Sequence, residues 1–242
     1  MTQPQTFSTL AHADKDYAHE TYDEAYYQSV LRNEQFRSHH WRLKWVDECL
    51  NPSPGDRIVD LGCGPGVMAK HLAERGAAVH GVDVSELAVQ FARKFNAQFP
   101  DVTFAAADAA HCTHLADASF NKAISADVTE HCGYDVMCGI FREARRLIKP
   151  GGLYLIYTPN PRHWLEVLKK YHIVKPDPSH TGLRTAPVIM DALKKEGWEI
   201  ARYLRPPSMM PVVQWCEKAW SFLPGVGELG VYRVVVLARK PV

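Results

Sequence analysis

Apolar residues along the chain change their spacing in a regular way, and the changes mark out strands alternating with helices. Ile58-Val59-Asp60-Leu61 is a short apolar run that turns on Gly62, Gly64 and Gly66. It passes into Val67-Met68-Ala69-Lys70-His71-Leu72, a helical pattern that reaches about Arg75 and stops at Gly76. Ala77 to Asp83 reads as a second buried strand with the acid at its carboxyl end. Ser85 stands where a helix N-cap belongs, and Leu87, Ala88, Phe91, Ala92, Phe95 and Phe99 recur at helical spacing up to Pro100. Val102 to Ala109 gives a short third strand with Asp108 near its end, and Phe120 to Ala126 a fourth. A helix follows with Val136, Met137, Ile140, Phe141, Ala144 and Leu147 on one face. The sharp turn Lys149-Pro150-Gly151-Gly152 then leads into a fifth strand, Leu153–Thr158. A helix over 185–196, a strand over 198–204 and a last strand over 231–238 complete the pattern. Strands that alternate with helices in this way build a mostly parallel sheet covered on both faces.

Two stretches fall outside the alternation. Residues 1–16 are polar and unpatterned, whereas 17–50 are aromatic and periodic enough for two helices, ended by Asn51-Pro52-Ser53-Pro54-Gly55-Asp56. We therefore expect a helical cap over 1–50 and one α/β domain over 51–242, with insertions near 159–182 and 205–230. The first insertion is amphipathic, with Trp164, Leu165, Val167, Leu168, Tyr171, Ile173 and Val174 among Lys169, Lys170 and Lys175. Such a segment can cover a pocket or rest on a lipid surface, so 161–175 is the candidate for peripheral membrane contact. The second holds Met209, Met210, Trp215, Trp220 and Phe222, soft and rigid apolar groups that suit an adaptable acceptor pocket.

Charge and cysteine content narrow the classes. The 28 basic and 27 acidic side chains nearly cancel and no Lys/Arg run stands out, which argues against nucleic acid as a partner. Six cysteines, at 49, 63, 112, 132, 138 and 216, lack both zinc spacing and the density of a disulfide scaffold, and read as reduced thiols. The first residues show neither a basic start nor an apolar core, and no apolar run is long enough to cross a bilayer. The expectation is a cytoplasmic protein, at most peripheral to a membrane. The sequence does not set its oligomeric state.

A strand that ends in glycines and hands over to a helix leaves backbone N–H groups open to an anionic or nucleotide ligand. The glycines at 62, 64 and 66 form G-x-G-x-G, with Val67 where the third glycine of a dinucleotide fingerprint would fall. A nucleotide-dependent oxidoreductase is thereby disfavoured. Asp83, at the end of the second strand, is placed to accept both hydroxyl hydrogens of an adenosine ribose. Asp127, Glu130 and His131 follow the fourth strand at the ligand-facing edge. If they open a helical turn, their i, i+3, i+4 spacing brings two carboxylates and an imidazole to one face, fit for general-base work or a divalent cation.

Asp60-x-Gly62-Cys63-Gly64-x-Gly66 resembles the first motif of the class I S-adenosylmethionine-dependent methyltransferases, and Ile148-Lys149-Pro150-Gly151-Gly152 resembles the turn before their fifth strand. The resemblance runs in order from about residue 55 to 160. It implies a Rossmann-like fold with a mostly parallel seven-stranded sheet, helices on both faces and an antiparallel last strand. It further implies S-adenosylmethionine bound at Asp60, Gly62, Cys63 and Gly64, at Asp83 with Val84, at Asp108 with Ala109, and at Ala126 through backbone. Asp127–His131 is similar to the E-x-x-E-H motif of the ubiquinone-biosynthesis O-methyltransferases and the small-RNA 2′-O-methyltransferases, with Asp in place of the first Glu. In those families a divalent metal, Mg or Zn here, is associated with that motif and a downstream His. This implies Asp127, Glu130, His131 and His180 as ligands, and the quinone-type family also implies a cofactor-contacting Arg at Arg37. The activity implied is methyl transfer to a small-molecule acceptor, a phenol or quinol hydroxyl first of all. His131 is then the catalytic base, since an imidazole of ordinary pKa about 6.5 suits proton removal near neutral pH. N-, S- and C-methylation use the same scaffold. So does RNA 2′-hydroxyl methylation, which the balanced charge disfavours. A partner protein that binds the cofactor without turning it over would keep the cofactor residues and be indifferent to replacement of His131.

Overall fold

The computed structural model describes residues 22–32, 37–208, 211–221 and 227–242. Two helices, α1 (Glu24–Arg32) and α2 (Arg37–Leu50), precede the sheet. The chain then runs β1 (Arg57–Leu61), α3 (Val67–Glu74), β2 (Ala78–Asp83), α4 (Glu86–Phe95), β3 (Val102–Ala106) and β4 (Phe120–Ala126). After a single 3-10 turn at Thr129–His131 come α5 (Tyr134–Leu147), β5 (Ile148–Pro159), α6 (Trp164–Lys170), α7 (Ala186–Lys195), β6 (Glu199–Leu204), α8 (Pro211–Ser221) and β7 (Arg233–Arg239).

The seven strands lie in the order β3-β2-β1-β4-β5-β7-β6. All neighbours from β3 to β5 pair in parallel, and β7 runs antiparallel to both β5 and β6. The path leaves β1 outward to β2 and β3, then returns to the other side of β1 as β4. The winding therefore reverses between β1 and β4, the switch point beside whose carboxyl ends an open α/β sheet takes its ligand.

Strand alternation divides the core into two layers. Val59, Leu61, Tyr154, Ile156, Val234 and Val236 face α5 and α7, meeting Met137, Ile140, Phe141, Leu147, Ile189 and Leu193. Ile58, Ile124, Leu155 and Val235 face the other way, onto Val46 and Leu50 of α2, Met68 and Leu72 of α3 and Val89 and Ala92 of α4. The Ser85 hydroxyl caps α4 by accepting from the Ala88 N–H at 3.2 Å. Several boundaries differ from the sequence pattern: α4 stops at Phe95, short of Phe99, and β7 begins at Arg233 rather than at 231. The Lys149–Gly152 turn is taken up into β5, because Ile148 already pairs with Phe120 and the register shifts before Lys122. β3 stops at Ala106, so Asp108 stands in the loop beyond it.

The insertions are tied together by one buried carboxylate. Glu217 of α8 is fully buried and accepts from His163 Nε2 (2.8 Å), Trp164 Nε1 (3.0 Å) and the Ser208 N–H (2.6 Å). Tyr171 and Ile173, just after α6, stay exposed. Among the described residues no helix is long and apolar enough to cross a membrane. Met209, Met210, Phe222 and the Trp220 side chain lie outside the described residues.

Candidate active site

The glycine turn is held open by backbone geometry. Gly62 and Cys63 donate their N–H groups to the Val82 carbonyl at 2.8 and 3.0 Å, which bends the chain off β1 over the end of β2. Gly64 donates to Asp83 Oδ2 at 2.8 Å, and Ser85 N–H donates to Asp83 Oδ1 at 2.9 Å. Each Asp83 oxygen thus holds one backbone proton and keeps acceptor capacity for a ligand hydroxyl. Burial raises the Asp83 carboxyl above its ordinary range against the pull of these bonds. A Cβ on Gly62 (φ +87°) would lie 2.4 Å from Val128 Cγ2, whereas a Cβ on Gly64 (φ +51°) would meet no atom of the described residues within 4 Å. The turn is therefore packed shut at 62 and open at 64. Asn96, buried on the far side, ties it to α4 by donating to the Gly66 carbonyl (3.1 Å) and the Ala92 carbonyl (2.9 Å).

Asp60 lies beneath this turn, fully buried, and its Oδ2 has no hydrogen-bond partner among the described residues. Burial pushes its carboxyl up to about 7, although the Arg42 guanidinium opposes the shift. Cys63 is buried, Ala126 closes β4 half-buried, and Val84 is exposed beyond β2. Asp108 is exposed, and its Oδ1 accepts from the Ala110 N–H at 2.8 Å, an Asx turn beside the half-buried Ala109.

Beyond β4, the structure separates residues that the spacing had grouped. Asp127 precedes the 3-10 turn in a left-handed conformation (φ +56°), so it does not share a face with Glu130 and His131. Its Oδ2 accepts from Arg42 Nη1 at 2.8 Å and its Oδ1 from Arg233 Nη1 at 2.9 Å. Burial works to raise Asp127, but the guanidiniums of Arg233 and Arg42 outweigh it and hold the carboxyl below its ordinary range. The expectation of Asp127 as a metal ligand or base is corrected accordingly: both oxygens are spent on cations, and it anchors two arginines instead.

Glu130, His131 and His180 do come together, with one ligand atom from each lying within 4.8 Å of the others. Thr158, at the end of β5, donates to Glu130 Oε2 at 2.9 Å, while Glu130 Oε1 is buried without a partner among the described residues. Burial first, then the charge of Asp127, raises the Glu130 carboxyl. His131 Nδ1 lies 3.0 Å from the Ser179 carbonyl. A carbonyl only accepts, so Nδ1 carries a proton, and in the neutral ring Nε2 keeps its lone pair. His180 Nδ1 is likewise buried with no partner among the described residues. Tyr22, ahead of α1, reaches His131 Nδ1 with its hydroxyl at 3.2 Å, so the helical cap closes over this corner.

The side chain of Arg37 lies outside the described residues. Arg42, one helical turn further on, is the arginine that the structure brings to Asp60 and Asp127. Nothing in its local pattern sets it apart. Arg233 carries a sequence signal in retrospect, a lone cation opening the apolar strand Val234-Val235-Val236-Leu237.

An open, doubly wound sheet with a glycine turn at its switch point and acids at the ends of β1 and β2 defines a Rossmann-like nucleotide-type site. Residues 58–152 match the methyltransferase domain family. The ubiquinone biosynthesis O-methyltransferase of Alkalilimnicola ehrlichii is 33% identical over 127 residues, 51% of this chain and 51% of that protein. The 24-methylenesterol C-methyltransferase 2 of Oryza sativa is 28% identical over 206 residues, 80% of this chain and 53% of that protein. The chain spans about half the length of the first curated relatives it matches. Among solved structures, phosphoethanolamine N-methyltransferase 2 of Haemonchus contortus, in complex with S-adenosyl-L-methionine, superposes with TM-score 0.71 at 19% identity. That match covers 95% of this chain and 60% of the other. The names of these three relatives carry three different acceptor atoms, O, C and N.

Proposed function

We propose that this protein transfers the methyl group of S-adenosylmethionine to a hydroxyl of a phenol- or quinol-type small molecule. The observation that carries the reading is the convergence of Glu130, His131 and His180 on the turn that packs against Gly62. In this reading Asp83 takes the ribose hydroxyls, Gly64 leaves room for the methionine end, and Arg42 with Asp60 lines the same corner. The donor supplies an electrophilic sulfonium methyl. His131 Nε2 takes the acceptor's proton as the acceptor oxygen bonds to the methyl carbon and the carbon–sulfur bond breaks, releasing S-adenosylhomocysteine. Alignment of the two reactants is the main contribution of such a site.

The donor set also fits a divalent cation. Glu130 Oε1 and His180 Nδ1 are buried with no hydrogen-bond partner among the described residues, and in the neutral ring His131 Nε2 has its lone pair directed away from the Ser179 carbonyl. These three residues, without Asp127, would hold the ion, which would act as a Lewis acid on the acceptor oxygen. The motif likeness to the ubiquinone enzymes favours the phenol class. The exposed Tyr171 and Ile173 accord with an apolar acceptor drawn from a lipid surface.

Calorimetric titration with S-adenosylhomocysteine tests the first half, and Asp83→Ala is expected to abolish binding. Methylation of a catechol-type acceptor that His131→Ala removes would support the second half. Absence of cofactor binding by the intact protein would end the proposal.

A further inference from the structure

Glu130 and His131 sit on a single 3-10 turn, too short to hold its own geometry, and His180 arrives from a loop about fifty residues later. One side chain bonds to both segments. Arg184 Nη1 donates to the Thr129 carbonyl at 2.8 Å and to the Gly182 carbonyl at 2.6 Å, and its Nη2 donates to the Cys132 carbonyl at 2.9 Å. Thr129 and Cys132 bracket the two site residues, and the Thr129 carbonyl also accepts from the Cys132 thiol at 3.6 Å. The same loop adds two bonds. The Gly182 N–H donates to the Glu130 carbonyl at 2.7 Å, and the Ser179 carbonyl accepts from His131 Nδ1. The approach is close enough that a Cβ on Gly182 would lie 2.2 Å from the Cys132 carbonyl oxygen.

We propose that Arg184 is a positioning residue, whose forked guanidinium clamps the turn bearing Glu130 and His131 to the loop bearing His180 and thereby sets the reacting geometry. The inference rests on the methyl-transfer reading for its consequence, but the clamp itself can be measured without turnover. Arg184 acts through backbone carbonyls. A lysine keeps the charge but cannot present two nitrogens in one plane to two acceptors.

The clamp is read from the ring Nδ1 proton of His131 in protein labelled with ¹⁵N-histidine. In the native protein its bond to Ser179 should shelter that proton from exchange. Arg184→Ala should lose the signal and millimolar guanidinium should restore it, whereas Arg184→Lys should restore it poorly. On a catechol-type acceptor, Arg184→Ala should lower kcat by about ten- to a hundredfold. KM for the methyl donor and affinity for S-adenosylhomocysteine should change far less than kcat, since Gly62, Gly64 and Asp83 are untouched. Guanidinium should recover kcat as it recovers the signal. A native Nδ1 signal in Arg184→Ala would overturn the proposal. So would a loss that guanidinium fails to repair, or one that weakens S-adenosylhomocysteine equally, since either makes Arg184 a general support of the fold. If the native protein turns over no acceptor, the functional reading fails, and the Nδ1 signal still decides whether Arg184 is the clamp.

Discussion

Replacing Gly62 and Gly64 in turn by alanine separates what the fold requires of the glycine turn from what a ligand requires. At Gly62 the backbone is left-handed and the added methyl lands 2.4 Å from Val128 Cγ2. The conformational penalty is about 1–2 kcal/mol, and forcing a methyl into filled space adds about 1–3 kcal/mol. Gly62→Ala should therefore destabilise by about 2–5 kcal/mol, or about 4–20 °C in Tm for a chain of this size. At Gly64 only the conformational part applies, because no atom of the described residues lies within 4 Å of the new Cβ. Its loss should stay at about 1–2 kcal/mol. Cofactor affinity should reverse the order per unit of stability lost: Gly64→Ala should weaken S-adenosylhomocysteine by about ten- to a hundredfold, the equivalent of about 1.4–2.8 kcal/mol. Thermal unfolding and calorimetry on the two variants, with Val128→Ala and the Gly62→Ala/Val128→Ala pair completing a double-mutant cycle, provide the assay. The pair should recover the packing share and keep the conformational share. Additive effects of the two substitutions, or a Gly64→Ala protein with native cofactor affinity, would refute the reasoning.

Asp60→Asn should stabilise the ligand-free protein above neutral pH while weakening the cofactor. The folded carboxyl is pushed from 3.8 to about 7, so stability present below 3.8 is lost as pH rises through about 7. The gain is bounded by about three pH units at about 1.36 kcal/mol each, or about 4 kcal/mol, and an unchanged slope of Tm between pH 5 and 8 would contradict it. His80 acts in the opposite sense. Burial, aided by His114, takes its pKa from 6.5 down to about 4, so stability is full above 6.5 and falls as pH drops toward 4. The two effects offset one another between about pH 4 and 6.5. His80→Gln should therefore make the protein gain stability on acidification there, and a fall parallel to the native curve would dismiss the assignment. Glu217→Gln puts an amide donor among three donors and should destabilise by about 1–3 kcal/mol in denaturant unfolding. A change too small to resolve would show that the two insertions do not depend on that carboxylate.

The glycine-turn half of the candidate site was legible because its signals are local. A glycine spacing, an acid that ends a strand and one strand–helix–strand separation place Gly62, Gly64 and Asp83 without reference to distant residues. The acceptor half was legible only in part. Glu130 and His131 are neighbours in sequence, and His180 entered through likeness to a family rather than through any pattern. The fate of Asp127 depends on Arg42 and Arg233, 85 and 106 residues away, and on a positive φ that side-chain spacing does not reveal. Arg184 and Asn96 bond to carbonyls, and a side chain recruited by main-chain oxygens leaves no compositional trace. The boundary of β5 was misplaced for a related reason: pairing with Phe120 holds Ile148 in the sheet despite the Pro-Gly-Gly that follows.

The isopropyl group of Val128 occupies the volume that a side chain on Gly62 would need. The turn that carries Glu130 and His131 and the turn at Gly62–Gly66 thus share one wall, and in the proposed reading the first faces the acceptor and the second the methyl donor. An acceptor that displaces Val128 must relax or compress the donor turn, and a donor that orders Gly62–Gly64 must fix the place of Val128. Affinities for the two ligands are then linked, and linkage is reciprocal: whatever factor the donor contributes to acceptor binding, the acceptor returns. Order of addition and product inhibition would follow from a single methyl-to-backbone contact, placed between two ligands that need not touch the same side chain.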